Sequence, residues 1–84
     1  MKQVVNFKGT IHHVGTFEGD AHNGVFDNDN FYFVMLNHPE DYNEQVIVIT
    51  NVKNNIKLNE DDNVSGTFVK NNDEIESAYI KAKL

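Results

Sequence analysis

Histidines are the side chains of this sequence that first suggest metal or acid–base chemistry. His12 and His13 are adjacent, so on a regular strand they point to opposite faces and cannot bind one ion together. His22 and His38 lie in separate polar segments. Zinc sites take three or four ligands at characteristic spacings, and the sequence has no such pattern. It therefore predicts no metal site and no cofactor.

Acidic and hydroxyl side chains also fall short of a known catalytic pattern. Asp27-Asn28-Asp29-Asn30 resembles the opening of a calcium loop, but it lacks the third acidic position, the central glycine and the final bidentate glutamate. We interpret it as a turn. Ser65 and Ser77 lie in no nucleophile elbow, and neither phosphate loops nor paired catalytic carboxylates occur. We expect a protein that is not an enzyme.

Composition limits both the architecture and the ligands. The chain has 84 residues, of which 39% are hydrophobic, and this predicts one small folded domain over residues 1–84. Thirteen acidic residues and seven basic ones give a formal charge of -6, which repels polyphosphate at long range. Arginine is absent, so anions can be bound only by lysine or by backbone N–H groups.

Targeting and redox signals are equally sparse. No apolar run approaches the roughly 20 residues that span a bilayer, and the first residues do not have the pattern of a signal peptide. Cysteine is absent, so the fold must be stabilised by packing without disulfides. We expect a cytoplasmic protein with no membrane partner.

The elements that must position any site are strands. Apolar residues that alternate or form short runs predict five of them. They span Gln3 to Val14, Phe31 to Leu36, Gln45 to Thr50, Val64 to Lys70 and Ser77 to Leu84. A polar loop, Thr16 to Asn30, follows the first strand, and the connector Asn51 to Asn63 could hold a short helix. Val52, Ile56 and Leu58 are its expected buried anchors.

Parity within the strands predicts the core. In the first strand the inward residues are Val5, Phe7, Gly9 and Ile11, and in the last they are Ala78, Ile80, Ala82 and Leu84. A bulge near His12-His13 would return Val14 to the core. Gly66 interrupts the fourth strand as Gly9 does the first, and glycine often marks a bend at a barrel corner. The predicted fold class is all-β.

The predicted order of elements is a long first strand broken by glycine, a hairpin, a longer connector and a closing hairpin. This order resembles the OB-fold superfamily, in particular small bacterial domains similar to the anticodon-binding type. The resemblance rests on Phe7-Lys8-Gly9-Thr10-Ile11 and on the segment from Leu58 to Phe68. Asp61-Asp62-Asn63 stands where many such domains have a glycine-aspartate turn. The resemblance implies a small five-stranded Greek-key barrel, and an SH3-like barrel is the competing prediction.

Strands two and three are apolar on both parities, although a strand in the wall of a solvated barrel normally alternates with polar residues. One row is Phe31, Phe33 and Met35, and the other is Tyr32, Val34 and Leu36. The extra row could be covered by the chain itself, could be an oligomer or partner interface, or could be a ligand face. The resemblance implies the third explanation, because OB-folds stack single-stranded bases on aromatic side chains of strands two and three. Tyr32 is the expected stacking residue.

Lysines and acids are separated along the chain. Nearly all acids fall in predicted loops, including Asp73 to Glu76, whereas the lysines fall on strands or the connector. Lys8, Lys81 and Lys83, with Tyr79, are predicted on the outer faces of the first and last strands, where they could form a basic patch. The alternative is that these lysines only solubilise the surface and protect strand edges.

Two hypotheses for function follow. The first is a non-catalytic module that binds single-stranded nucleic acid weakly through Lys8, Tyr32, Tyr79, Lys81 and Lys83. The second is a protein-interaction or oligomerisation module that uses an apolar face of strands two and three. Salt separates them, because it weakens phosphate binding steeply and changes an apolar contact little. The sequence predicts no oligomeric state.

Overall fold

β-Strands make up nearly all the regular structure of the residues that the structure describes. The computed structural model describes residues 1–16, 30–53 and 56–84. Its strands are β1 (Lys2–Thr16), β2 (Asn30–His38), β3 (Val46–Ile49), β4 (Asn51–Val52), β5 (Asn63–Asn71) and β6 (Glu74–Lys83), with a short 3-10 turn, Glu40–Tyr42, between β2 and β3. The all-β prediction is confirmed. Apart from its two ends, the predicted polar loop falls outside the described residues.

The strands form one strongly curled sheet in the order β3-β2-β1-β5-β6-β4. Neighbouring strands are antiparallel except β4 and β6, which are parallel. Only Thr50 separates β3 from β4 in the chain, yet these strands lie at opposite edges of the sheet. One residue can connect the two edges only because the sheet curls and brings them close together.

The structure has one strand that was not predicted, directly after the third predicted strand. The predicted strand Gln45 to Thr50 forms as β3 against β2, and a further short strand, β4, forms against β6 at the start of the predicted connector. In β4, Asn51 pairs with Tyr79 and Val52 pairs with Ile80. The described residues therefore contain six strands where five were predicted, because the start of the connector pairs with β6.

Strand β1 is bent so that it contributes to both sides of the curl. Its first half pairs with β5 and its second half with β2, with a register shift between Ile11 and His13 at the predicted bulge. A second shift lies between Lys8 and Gly9. A Cβ atom on Gly9 would lie 2.6 Å from Cγ1 of Val34, so only glycine allows β2 to approach this closely.

The hydrophobic core lies inside the curl. Its buried residues are Phe7, Ile11, Tyr32, Val34, Leu36, Ile49, Leu58, Val64, Phe68 and Ile80. Val5 and Val14 pack against this cluster, which confirms the inward parity of β1 and the return of Val14 after the bulge. Val52 and Ile56, the predicted buried anchors of the connector, also pack against this cluster. The connector between β3 and β5 therefore completes the core, as predicted.

The last strand departs from its predicted parity. A register shift opposite Ser65 and Gly66 leaves Lys81 as an extra residue, and side chains beyond it change face. Ile80 is buried as predicted, but Leu84 is 64% exposed, so the inward prediction for Leu84 is wrong. The strand also begins earlier than predicted, which places Glu74 and Glu76 in β6 rather than in a turn.

Helical structure plays little part in the described chain. Residues 51–53 and 56–62 of the connector, where a short helix was considered, contain no α-helix, and residues 54–55 lie outside the described residues. Among residues 1–16, 30–53 and 56–84, no helix has the length and apolar character needed to cross a bilayer.

Candidate functional site

The two apolar rows of β2 have different environments. Tyr32, Val34 and Leu36 are buried in the core, whereas Phe31, Phe33 and Met35 lie on the outer face and are half-buried. Directly opposed residues of antiparallel strands share a face. Met35 is opposite Val46 and Phe33 is opposite Val48, so the outer row continues onto β3. We call these five outward residues, Phe31, Phe33, Met35, Val46 and Val48, the outer patch.

The β3 side of the outer patch is the more open. Val46 is 50% exposed and Val48 is 57% exposed, whereas Ile49 in the same strand is buried. Large exposed side chains on neighbouring positions of a sheet are unusual away from interaction surfaces. Within residues 1–16, 30–53 and 56–84, the apolar face on β3 is therefore open to solvent.

The β2 side of the outer patch is supported by β1. Gly15 lies opposite Phe31, and the Phe31 ring occupies the space that a Cβ atom on Gly15 would need. The Phe33 ring packs against Phe31 and against His13, with ring centroids 5.6 Å apart in both cases. These contacts keep the aromatic rings against the sheet, so the patch is built on rigid strands rather than on a loop.

The charges around the outer patch are mostly negative. The β2–β3 hairpin, residues 30–49, carries Glu40, Asp41 and Glu44 and has no lysine. Glu44 is exposed and lies two residues before Val46. On the β1 side, Oε1 of Glu60 lies 3.4 Å from Nδ1 of His13. Glu44 and Glu60 therefore place acidic groups beside the outer patch, whereas the turn that carries Glu40 and Asp41 packs through Tyr42 against Phe68.

Tyr32, the predicted stacking residue, lies in the core and is 5% exposed. Its hydroxyl oxygen accepts a hydrogen bond from Nδ2 of Asn30 at 3.4 Å. A base can stack only on a ring face that solvent can reach, and the buried ring does not offer one. On β2 the outward aromatic rings are those of Phe31 and Phe33.

The predicted lysines are only partly brought together. Lys8 and Lys81 line one shallow groove of about 260 Å³, together with His38. Tyr79 lies opposite Thr67 on the neighbouring row of the same outer face. This groove groups two of the three predicted lysines and lies outside the core that holds Tyr32.

Lys83 forms an ion pair outside the groove of Lys8 and Lys81. Its Nζ lies 3.4 Å from Oδ2 of Asp62, and the same oxygen accepts a hydrogen bond from the Asn59 backbone at 2.8 Å. The backbone hydrogen bond and then the lysine hold the pKa of Asp62 below its usual value. Lys83 therefore interacts with the turn before β5 and adds little positive potential to the groove of Lys8 and Lys81.

Two further lysines are engaged in local contacts. Nζ of Lys2 lies 3.2 Å from Oε2 of Glu76, and Nζ of Lys70 lies 5.5 Å from the ring centroid of Tyr42. The interaction with Tyr42 raises the pKa of Lys70. These contacts spread positive charge over several surfaces, so the predicted basic patch is reduced to Lys8 and Lys81.

A second cleft was not anticipated from the sequence. It is an open cleft of about 600 Å³ at the other end of the curl, lined by apolar residues that include Val14, Tyr32 and Leu58 and by polar residues that include Lys57 and Asn59. The cleft forms where β1, β2 and the connector meet, which only the tertiary structure brings together. No sequence motif marks it.

Metal ligation finds no support in the described residues. Residues 1–16, 30–53 and 56–84 contain no group of three or more histidine, aspartate or glutamate side chains that could hold an ion. His13 packs on Phe33 and contacts Glu60, whereas His38 lines the groove of Lys8. His22 and the segment Asp27 to Asp29 lie outside the described residues.

Comparison with protein-family models, with curated proteins and with solved structures found no match. The functional conclusion therefore depends on the geometry and charge of the surfaces described above.

Proposed function

We propose that this protein is a non-catalytic binding module that recognises a protein partner through the outer patch. The observation that carries the proposal is the exposure of Val46 and Val48 beside Phe33 and Met35 on one continuous sheet face. Burial of apolar surface is the main favourable term in protein association. A partner that covers this face would remove these side chains from water.

The proposed scaffold is a five-stranded Greek-key barrel of the OB type. In this scaffold, β3, Thr50 and β4 together form one interrupted strand. That strand pairs with β2 at its beginning and with β6 at its end. The strand order and the parallel β4–β6 pairing support this interpretation. OB-like barrels serve many functions, so the scaffold by itself does not identify the ligand.

Charge favours a protein over a polyphosphate at the outer patch. The hairpin that carries most of the patch has no lysine, Glu44 lies two residues before Val46, and Glu60 adds a second acid beside His13. Phosphate groups bind where lysine or arginine can neutralise them. The surface offers apolar contact without that neutralisation, which suits protein side chains better than a nucleic-acid backbone.

A selection for binding peptides tests this proposal. A random-peptide display library is selected on the wild-type protein, and the affinity of each selected peptide is measured by fluorescence anisotropy for three proteins: wild type, the double variant Val46→Lys/Val48→Lys, and Val4→Lys. Val4 is 68% exposed on β1 and lies outside the patch. We expect the double variant to lose affinity by about tenfold or more and the Val4 variant to keep it.

The same proteins distinguish self-association from binding to another protein. If wild type forms a concentration-dependent dimer in sedimentation and the double variant is a monomer, the patch is an interface between copies of this chain and the proposed protein partner is wrong. Peptides that bind all three proteins equally would also contradict the proposal. A wild-type monomer together with patch-dependent peptide binding supports it.

A second candidate function is weak binding of single-stranded nucleic acid, favoured by the pairing of Lys8 and Lys81 in one groove. We expect labelled oligo-dT or oligo-U to bind at low salt with an affinity that falls as salt rises. The variant Lys8→Ala/Lys81→Ala should weaken this binding, and Lys53→Ala, a change in the connector, should leave it close to wild type. No anisotropy change at millimolar oligonucleotide would remove this candidate.

A further inference from the structure

The backbone of β3 has a free hydrogen-bonding edge beside the outer patch. In the described chain, β3 pairs only with β2 and ends the sheet on that side. At the start of the hairpin, the backbone N–H of Leu36 donates to the carbonyl of Gln45 at 2.7 Å, and the N–H of Glu44 donates to the carbonyl of Leu36 at 2.8 Å. These two bonds set the register from which the rest of the ladder continues.

Hydrogen-bonded and non-hydrogen-bonded pairs alternate along an antiparallel ladder. Counting from Leu36, the next hydrogen-bonded pairs are Val34 with Ile47 and Tyr32 with Ile49. The N–H and C=O groups of Ile47 and Ile49 therefore point toward β2. Those of Val46 and Val48 point the opposite way, to the free edge of the sheet.

The side chains of β3 itself do not protect this edge. Natural edge strands are blunted by lysine, by proline, by a bulge or by a covering element. The residues of β3 are Val46, Ile47, Val48 and Ile49, so the strand itself carries none of the protecting side chains. The exposed side chains of Val46 and Val48 lie directly beside the free backbone groups. A strand added here would gain backbone hydrogen bonds and contact with the outer patch together.

The acidic residues beside the free edge of β3 indicate which charge a strand added there would carry. Glu44 is exposed just before β3, and Glu40 and Asp41 are exposed in the preceding 3-10 turn. A second copy of this chain would bring the same acids and a formal charge of -6, which opposes self-pairing. A segment that carries lysine or arginine near Glu44 would be attracted instead.

We infer that β3 accepts an extended segment of another protein as an additional strand, and that this segment alternates apolar residues with lysine or arginine. The inference rests on the proposed function, because the apolar side chains of the added strand would cover the outer patch. Backbone pairing with Val46 and Val48 supplies the alignment, and the acids around Glu44 select a basic segment.

Synthetic peptides of alternating valine and lysine test the inference. The parent peptide is compared with two peptides that carry N-methyl groups along one edge or along the other, and with a peptide that has glutamate in place of lysine. Because only one edge of the peptide can face β3, we expect one N-methylated peptide to lose about tenfold or more in affinity and the other to bind like the parent. The glutamate peptide should also lose affinity, and amide exchange at Val46 and Val48 should slow when the parent peptide is bound.

A protein variant provides an independent measurement. Val48→Pro removes an N–H on the free edge, where proline is tolerated in an edge strand, and Val48→Ala is the matched control that keeps the N–H. We expect the proline variant to bind the parent peptide more weakly than the alanine variant does. If the proline variant does not fold, the N-methylated peptides still decide the question.

Several outcomes would overturn the inference. Equal binding by both N-methylated peptides would mean contact through side chains alone, which leaves the proposed function intact. Equal binding by the glutamate peptide would refute the basic partner. Slow exchange at Val46 and Val48 without any peptide would mean that the edge is already paired. No binding by the parent peptide, while display-selected peptides bind at the outer patch, would also refute strand addition.

Discussion

The rings of Phe7 and Phe68 stack at the centre of the core, with centroids 6.1 Å apart and planes inclined by 29°. One ring comes from β1 and the other from β5, and both residues are almost completely buried. Tyr42, from the 3-10 turn, meets the Phe68 ring edge-on at 5.2 Å. The contact joins strands that are far apart in sequence, so it has a direct consequence for stability.

Phe7→Ala and Phe68→Ala should each lower the free energy of unfolding by about 3–5 kcal/mol, because each leaves a cavity between packed strands. Urea denaturation followed by circular dichroism measures this change. Val4→Ala, on the exposed side of β1, should alter stability by no more than about 0.5 kcal/mol. A small effect at both phenylalanines would contradict the inward parity of β1.

Gly66→Ala should destabilise the protein by about 1–3 kcal/mol through overpacking. An added Cβ atom would collide with the Tyr79 carbonyl oxygen and would lie 2.7 Å from Cζ of Phe7. The carbonyl belongs to the backbone of β6 and cannot move without shifting the strand. Thermal unfolding of this variant is compared with that of Ser65→Ala, its neighbour on the opposite face, which should stay close to wild type.

Tyr32 should behave as a core residue. Tyr32→Ala removes a buried ring and should cost about 3–5 kcal/mol, whereas Tyr32→Phe keeps the ring, loses only the long contact with Asn30 and should cost about 1 kcal/mol or less. Chemical denaturation of both variants checks the contrast. An alanine variant with wild-type stability would place the ring outside the core.

Acid should weaken the fold partly through Asp62 and Glu76. Hydrogen bonds from the Asn59 backbone and the Asn71 side chain, with help from Lys83 and Lys2, lower the pKa of these two carboxyl groups in the folded state. A folded-state pKa below the unfolded one gives stability that is present above the unfolded-state pKa and is lost as the pH falls through the folded-state pKa.

The unfolding free energy should therefore decrease on acidification through the carboxyl range and should change little near neutral pH because of these groups. Denaturation measured as a function of pH tests this. Asp62→Asn and Glu76→Gln should each reduce the acid dependence, and Glu40→Gln, in the exposed 3-10 turn, is the control. An unchanged acid dependence in both variants would be incompatible with these two carboxyls as its source.

Much of the fold could be predicted from local patterns. The inward positions of Phe7 and Ile11 alternate with polar residues, and burial of one parity follows from the period of a strand. The bulge before Val14 was predictable because the apolar parity changes at that point. By contrast, the exposure of Leu84 depends on a bulge in β6, and bulges are set by pairing between strands rather than by the composition of one strand.

The candidate site was only partly predictable for a related reason. An unusual apolar face on strands two and three is visible in the sequence, but the acidic group contributed by Glu60 depends on a turn that packs beside β1. The groove shared by Lys8 and Lys81 likewise requires β1, β5 and β6 to lie side by side. Lys83 could not be separated from these lysines by sequence alone, because its contact with Asp62 depends on where β6 ends.

The sequence by itself determined an all-β chain, the inward residues of β1 and the presence of an extra apolar row on β2. Only the tertiary structure decided that Tyr32 faces the core and Phe33 faces outward. The physical reason is that an alternating pattern selects a face only when the other face is polar, and both faces of β2 are apolar. The choice then depends on the neighbouring strands: Val34 fits against Gly9 in the core, whereas the Phe31 ring occupies the space above Gly15 on the outer face.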